Sequence, residues 1–327
     1  MATTSRTAEH HLPQIALTGD EPLFIVLNTG SGRHVAGEVE QAIRDVLGNA
    51  GRQFELMQVS SGRQLPSTAQ RAVARARAAQ GVVVAAGGDG TLNAVSQAVL
   101  GSGLPFGILP QGTFNYFGRT YGISQDTETA LACLLDAVVQ PVPVGLLNEH
   151  VFLVNASLGL YPTLLEDREA WKQHFGRSRL VALWAALATL MRAHRQLDLA
   201  LDYTDGQQRL RTPTLVVGNN ALQLEHIGID HLDDIAQGRL VAMTARELGT
   251  LDLYGLLLRG LLSSMGEAEN VITFGFDSMT VRFGRRRRIK VAMDGEIIWL
   301  RTPLVFRVAP DRLPLLVPRD PALRERA

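Results

Sequence analysis

The run Ala85-Ala86-Gly87-Gly88-Asp89-Gly90-Thr91-Leu92-Asn93 sets one carboxylate among three glycines. Glycines let a backbone approach a phosphate closely and accept positive φ. A helix beginning there would add free N–H groups and the positive end of its dipole. The spacing is neither the dinucleotide fingerprint nor a P-loop, which needs a Lys-Ser/Thr pair. An acid beside a phosphate is unfavourable unless a cation lies between them, and the simplest is Mg²⁺ carried in by a nucleotide. Two other roles compete for Asp89: accepting the proton of a hydroxyl, or only capping the helix that follows.

Two further loops share that chemistry. Asn28-Thr29-Gly30-Ser31-Gly32 follows the apolar run Leu23–Leu27, and Gln111-Gly112-Thr113-Phe114-Asn115 follows Phe106–Leu109. Each of the three brings glycine together with a hydroxyl or amide: Ser31, Thr91, Thr113 and Asn115. The elements behind them alternate. Strands are predicted at 23–27, 54–59, 82–86 and 106–109. Helices are predicted over 35–47, over 67–79 with Ser67 as N-cap, and from the Gly turn through Leu100. This rhythm predicts a parallel sheet covered on both faces, whose ligands sit at the carboxyl ends of its strands. All three loops then lie on one edge.

Near Pro141 the pattern changes to strands joined by turns, including LDLALDY, RLRTPTLVVGNN, RLVAMTA, MTVRF, IKVAMDGEIIWL and LVFRV, which predicts antiparallel pairing. Helical segments are expected around 163–195 and 251–265. The predicted organisation is a flexible tail over 1–18 and an α/β domain over 19–142. A β-sandwich domain with inserted helices follows over 143–303, and a closing segment over 304–327 packs back on the first domain.

With 327 residues, 46% of them apolar, the chain can bury two cores. Zero formal net charge argues against nucleic acid as a partner. A lone cysteine, Cys133, forms no internal disulfide and suits a reducing compartment. The N-terminus lacks the apolar stretch of a signal peptide, and no apolar run reaches the ~20 residues that span a bilayer. A soluble, cytoplasmic protein is expected, with peripheral contact at the inner membrane face.

AAGGDGTLNAV, taken with LNTGSGR and ILPQGTFNYFGR, resembles the catalytic domain of the diacylglycerol kinase and sphingosine kinase superfamily, in its bacterial soluble lipid kinase branch. VGLLNEHVFLVNASLGLYP and MDGEIIWLRTPLVFRVAPDRLPLLVP are similar to the first hairpin and the closing segment of that family's second domain. The resemblance implies a Rossmann-like, NAD kinase-like N-terminal domain, a C-terminal β-sandwich, and ATP with Mg²⁺ in the cleft between them. Asn28, Ser31, Gly32 and Ser60 would line the adenine-nucleotide side. Gly87, Gly88, Asp89, Gly90, Thr91, Leu92 and Asn93 would hold the phosphates, and Gly112, Thr113 and Asn115 would complete that side. Asp294-Gly295-Glu296 matches the family's Asp-Gly-Glu motif. Glu296 would accept the proton of the lipid hydroxyl, and Asp294 would help order the metal and that base, with Asp89 also at the metal. Asp294-Gly295 also reads as a plain hairpin turn between IKVAM and EIIWL. Arg33 and Arg119 are candidates to balance phosphate charge, since Lys172 and Lys290 are the only lysines.

Two positions depart from the family pattern. Tyr116 stands where an Asp is common, and Gln237-Gly238 where Asp-Gly precedes a strand, which removes the carboxylate of an accessory metal site; Asp233 and Asp234 lie nearby at the wrong spacing. The lipid substrate implies a membrane surface. Candidate contacts are the Arg-flanked apolar segments 176–195 and 253–265 and the basic run Arg285–Lys290, each with a plainer reading as packed helix, homodimer contact or solvated hairpin tip. His226 and His231 read as surface residues. The competing functions are an NAD kinase-like kinase of a soluble acceptor and a nucleotide-binding regulator that has lost catalysis.

Overall fold

The computed structural model describes residues 16–30, 36–160, 162, 196–203, 206–229, 231–245, 271–284 and 286–325. The predicted tail up to residue 15, Ser31 to Arg33, both Arg-flanked apolar segments and Arg285 lie outside them.

The first sheet has the order β2-β1-β3-β4-β18-β5. Its strands are β1 (Leu23–Asn28), β2 (Phe54–Val59), β3 (Val82–Gly87), β4 (Phe106–Pro110), β5 (Ala137–Val142) and β18 (Leu313–Pro318). β1 to β4 pair in parallel, β18 runs parallel to β4, and β5 closes the edge antiparallel to β18. Helices α2 (Leu65–Ala79) and α3 (Asp89–Val99) cover one face, burying Ala69, Ala72, Leu92 and Val95 against Val26, Val83 and Ala85. Helices α1 (Ala36–Asn49) and α5 (Thr127–Leu135) cover the other, with Ile43, Leu47, Leu131 and Leu134 against Ile25 and Val84. Burial on both faces explains why β1 and β3 read as continuous apolar runs. Helix α2 begins at Leu65, not at Ser67. Pro66 occupies its first turn, where the missing N–H costs nothing, and the Ser67 hydroxyl donates to the Gln64 carbonyl.

Two antiparallel sheets form the second lobe. One has the order β10-β9-β14-β17-β6-β7 and the other β13-β12-β11-β8-β15-β16. The first of these comprises β6 (Gly145–Leu147), β7 (His150–Phe152), β9 (Leu197–Tyr203), β10 (Gly206–Thr212), β14 (Ser278–Phe283) and β17 (Leu304–Val308). The second comprises β8 (Asn155–Gly159), β11 (Thr214–Gly218), β12 (Leu240–Ala245), β13 (Val271–Phe276), β15 (Arg288–Met293) and β16 (Glu296–Arg301). Their inner faces share one core, in which Leu199, Leu201, Met279 and Phe306 meet Leu158, Val217, Val291 and Leu300. This is a β-sandwich. Short helices α4 (Tyr116–Thr120), α6 (Ala221–His226) and α7 (Leu232–Ala236) lie outside the sheets. Pro213, which lacks an N–H for a ladder, divides RLRTPTLVVG between the two sheets as β10 and β11.

The chain crosses between the lobes after β5 and again between β17 and β18. Since β17 pairs within the sandwich, the return begins after Val308, not at residue 304. The two crossings touch where Ala309 N–H donates to the Val144 carbonyl at 2.9 Å.

Candidate active site

The strand order 2-1-3-4 reverses direction between β1 and β3, which opens a crevice at their carboxyl ends. Asn28, the last residue of β1, closes it from one side: its Nδ2 donates to Thr91 Oγ1 at 2.9 Å, and its Oδ1 accepts from Gly30 N–H at 3.0 Å. Ser60, exposed at the end of β2, presents its carbonyl beside Gly30, where an added Cβ would come within 2.9 Å of it. From the other side, an added Cβ on Gly112 would lie 3.1 Å from Gly88 Cα and 2.6 Å from Asn115 Oδ1. The loops after β1 and β2 thus meet at Gly30 and Ser60 and those after β3 and β4 at Gly88 and Gly112, both approaches too close for a Cβ without a shift, while Asn28 links the end of β1 to Thr91.

Asp89 is not the helix cap. Gly88, extended at φ −80° and ψ 179°, is the N-cap of α3, and Asp89 is the first helical residue. Its N–H and that of Gly90 have no intrahelical partner by position. One carboxylate oxygen, Oδ1, is buried with no hydrogen-bond partner. Burial, then the neighbouring Asp294 carboxylate, raise its pKa to about 6, and a hydrogen bond from the Asn115 backbone only partly opposes them. Asn115 is held for that task in the left-handed region at φ 48°, its side chain bridging Gly112 N–H and C=O at 2.9 and 3.0 Å.

The second acid arrives from the sandwich. Met293 and Glu296 pair as the last rung of the β15–β16 hairpin, so Asp294 and Gly295 form a two-residue turn with φ of 45° and 86°. Positive φ at both positions is the signature of a type I′ turn, which Asp tolerates and Gly prefers. Asp294 Oδ2 accepts from Asn93 Nδ2 and from Leu153 N–H, both at 2.7 Å. Oδ1 accepts from Val154 N–H at 2.9 Å and Asn155 N–H at 3.0 Å. Burial pushes the Asp294 carboxyl up, and these donors oppose the shift. Four donors fill the roughly four lone-pair sites of a carboxylate. Asp294 thus ties α3 to the β7–β8 connection and the hairpin turn. In this arrangement its carboxylate is occupied by these donors. Asp294-Gly295 is the hairpin turn, and that turn delivers the acid to α3.

Glu296, exposed, lies directly on Gly90: an added Cβ there would meet Glu296 Oε1 at 2.7 Å. Asp89, Glu296 and the start of α3 therefore share one spot. Leu92 is fully buried in the core under β3, so its side chain faces away from any ligand. Asn93 uses both amide hydrogens between the lobes, on the Val151 carbonyl and Asp294, each at 2.7 Å. Thr113 is exposed at the loop tip. Arg119 lies half-exposed in the last turn of α4, with no carboxylate partner among the described residues.

Sequence reasoning missed the backbone donors of Leu153, Val154 and Asn155 and the bond from Asn220 Nδ2 to Thr120 Oγ1 at 2.8 Å. No local signal marks them, since each joins positions 100 or more residues apart. Tyr116 stacks on Phe114 with ring centroids 5.8 Å apart and meets the edge of His226 at 5.7 Å, forming an aromatic group at the cleft mouth. His231 is half-buried, not a surface residue: Nδ1 lies 2.7 Å from Asp234 Oδ2 and Nε2 2.8 Å from Thr273 Oγ1. Arg239 also reaches Asp234, at 2.8 Å. Among the described residues no group of three or more His, Cys, Asp or Glu side chains is placed to hold a metal, and no helix is long and apolar enough to cross a membrane.

A parallel-sheet domain joined to an antiparallel sandwich is the fold this chain shares with solved diacylglycerol kinase structures. Residues 22–147 match the diacylglycerol kinase catalytic domain. The uncharacterized protein sll0036 of Synechocystis sp. is 28% identical over 246 residues, 72% of this chain and 54% of that protein. The probable lipid kinase YegS-like of Klebsiella pneumoniae is 37% identical over 83 residues, 25% of this chain and 28% of its own length. The matches thus span about half and about a quarter of these two relatives. A solved structure of a diacylglycerol kinase from Bacillus anthracis superposes with a TM-score of 0.64 over 93% of this chain and 98% of that one, at 17% identity. That likeness is one of fold.

Proposed function

We propose that the protein transfers the γ-phosphoryl group of ATP to a hydroxyl of a diacylglycerol-like or sphingoid lipid, at the inner face of a membrane. The carrying observation is the buried, unpartnered Oδ1 of Asp89 at the glycine-lined strand ends, beside a Glu296 seated on Gly90. A carboxylate desolvated and crowded by a second acid is relieved by a divalent cation, so the residues fit a Mg²⁺-nucleotide. Mg²⁺ bound with ATP would neutralise charge on the phosphates.

The remaining work falls to the chain itself. The free N–H groups of Asp89 and Gly90, at the dipole end of α3, face phosphate oxygens. Asn28, Gly30 and Ser60 border the nucleotide side, and Gly112 to Asn115 the opposite side. Residues 19–142 act as the nucleotide lobe and the sandwich as the acceptor lobe. Phosphoryl transfer needs positioning and charge stabilisation above all. As the lipid oxygen bonds to phosphorus and the bond to the β-phosphate oxygen breaks, the hydroxyl proton passes to Glu296 and ADP leaves. Asp294 keeps the hairpin, and with it Glu296, at α3.

The test is phosphate transfer from radiolabelled ATP with diacylglycerol in mixed micelles and with NAD as rival acceptors. Labelled phosphatidic acid is expected. Labelled NADP with unlabelled lipid, or tight ATP binding with no labelled lipid, would refute the proposal.

A further inference from the structure

The end of the β15–β16 hairpin away from Asp294 carries a concentration of positive charge. Arg286, Arg287, Arg288 and Arg301 are exposed, and none has a carboxylate partner among the described residues. Arg288 pairs directly opposite Arg301, a like-charge arrangement that disfavours the sheet by itself. Beside them an open cavity of about 550 Å³ is lined by Arg282, Arg286, Arg287 and Thr302, with no acid in its wall. Arg282 alone of these reaches a carboxylate, Asp202 at 3.4 Å.

An apolar anchor lies on the same strand. Trp299 is 58% exposed although tryptophan is usually well buried. It stands opposite Lys290, whose Nζ sits 5.4 Å over its ring. Period-two alternation directs Ile289, Val291 and Leu300 into the sandwich core, so Lys290, Arg288, Trp299 and Arg301 share the outer face. An exposed tryptophan on a face shared with Lys290, Arg288 and Arg301 is the composition of a membrane interface: the ring sits at headgroup depth and the cations meet anionic lipid.

We propose that this outer face of the β15–β16 hairpin docks the protein on an anionic phospholipid surface. The inference rests on the lipid-kinase reading and deepens it. Trp299 is three residues from Glu296, about 10 Å along the strand, so the strand that meets the bilayer at Trp299 begins at the proton acceptor, which by the same alternation projects from the opposite face. The charge complementarity favours a bilayer over a second copy of a chain with zero net charge.

The experiment is co-sedimentation of the full chain with phosphatidylcholine vesicles, with and without one-third phosphatidylglycerol, alongside phosphorylation of a short-chain diacylglycerol kept monomeric in solution. Binding is expected only to the anionic vesicles and to weaken with salt. Arg286→Gln with Arg287→Gln lowers it about 30-fold, Trp299→Ala also lowers it, and neither changes transfer to the monomeric lipid. Equal binding by the variants, equal binding to neutral vesicles, or loss of a dimer in the variants in place of vesicle binding overturns the docking surface. If no lipid is phosphorylated at all yet the variants lose vesicle binding, the docking surface stands and the kinase reading falls.

Discussion

Asn93 Nδ2 donates to Asp294 Oδ2 at 2.7 Å, joining a helix of the parallel-sheet lobe to a hairpin turn of the sandwich 201 residues away. Because three backbone N–H groups converge on the same carboxylate, the bond is one corner of a filled cage. Asp294→Asn replaces an acceptor oxygen with an amide whose hydrogens face other donors. It should destabilise the protein by on the order of 3 kcal/mol, and Asn93→Ala by about 2 kcal/mol. The pair should couple by at least ~0.5 kcal/mol in a double-mutant cycle read by urea denaturation. Strict additivity would mean that the contact carries no energy between the lobes.

Asp89 gives a pH dependence with a definite sign. Its folded pKa of about 6 exceeds the ordinary carboxylate value of 3.8, so the folded state holds the proton more tightly than the unfolded chain. Stability contributed by this group is full below about pH 4, falls as pH rises towards 6, and is absent above that. In metal-free buffer at pH 8, Asp89→Asn should therefore be more stable than the parent by about 1–3 kcal/mol, with the difference closing near pH 4. Lipid phosphorylation should be lost at the same time. A variant that melts earlier at pH 8 would contradict the electrostatic account.

Glu296→Gln removes the proposed proton acceptor but keeps the shape beside Gly90. Turnover should fall about 10²–10⁴-fold, with the KM for ATP within about three-fold of the parent. Steady-state kinetics separates this from a nucleotide-binding role, for which KM would carry the loss.

Gly90→Ala tests the contact from the other side. The added methyl meets only the flexible end of Glu296, at 2.7 Å, and alanine suits a helix better than glycine by about 1 kcal/mol. The melting temperature should hold or rise while turnover drops at least about ten-fold. Lost stability with normal turnover would show that Glu296 need not sit there.

Much of this architecture is legible in the chain. Apolar runs such as Val82–Ala86 mark strands buried on both faces, and glycine clusters after three of them mark one edge of the sheet. The Asp-Gly pair after Met293 marks a turn whichever role its acid has. These signals are local, arising from periodicity, turn chemistry and backbone freedom within a few residues. Ser67 shows the limit even there: the proline beside it shifted the start of α2 by two residues.

What the sequence by itself determined, then, was the set of parts: the parallel-sheet fold, the sandwich, and the acids Asp89, Asp294 and Glu296. Tertiary structure alone decided their division of labour. Asp294 became a saturated link because three backbone N–H groups from the β7–β8 connection and an amide from α3 reach it. Asp89 kept a buried oxygen without a donor, and Glu296 came to rest on Gly90. A carboxylate's chemistry depends on its solvation and on the donors around it, and those are supplied by residues far away in the chain.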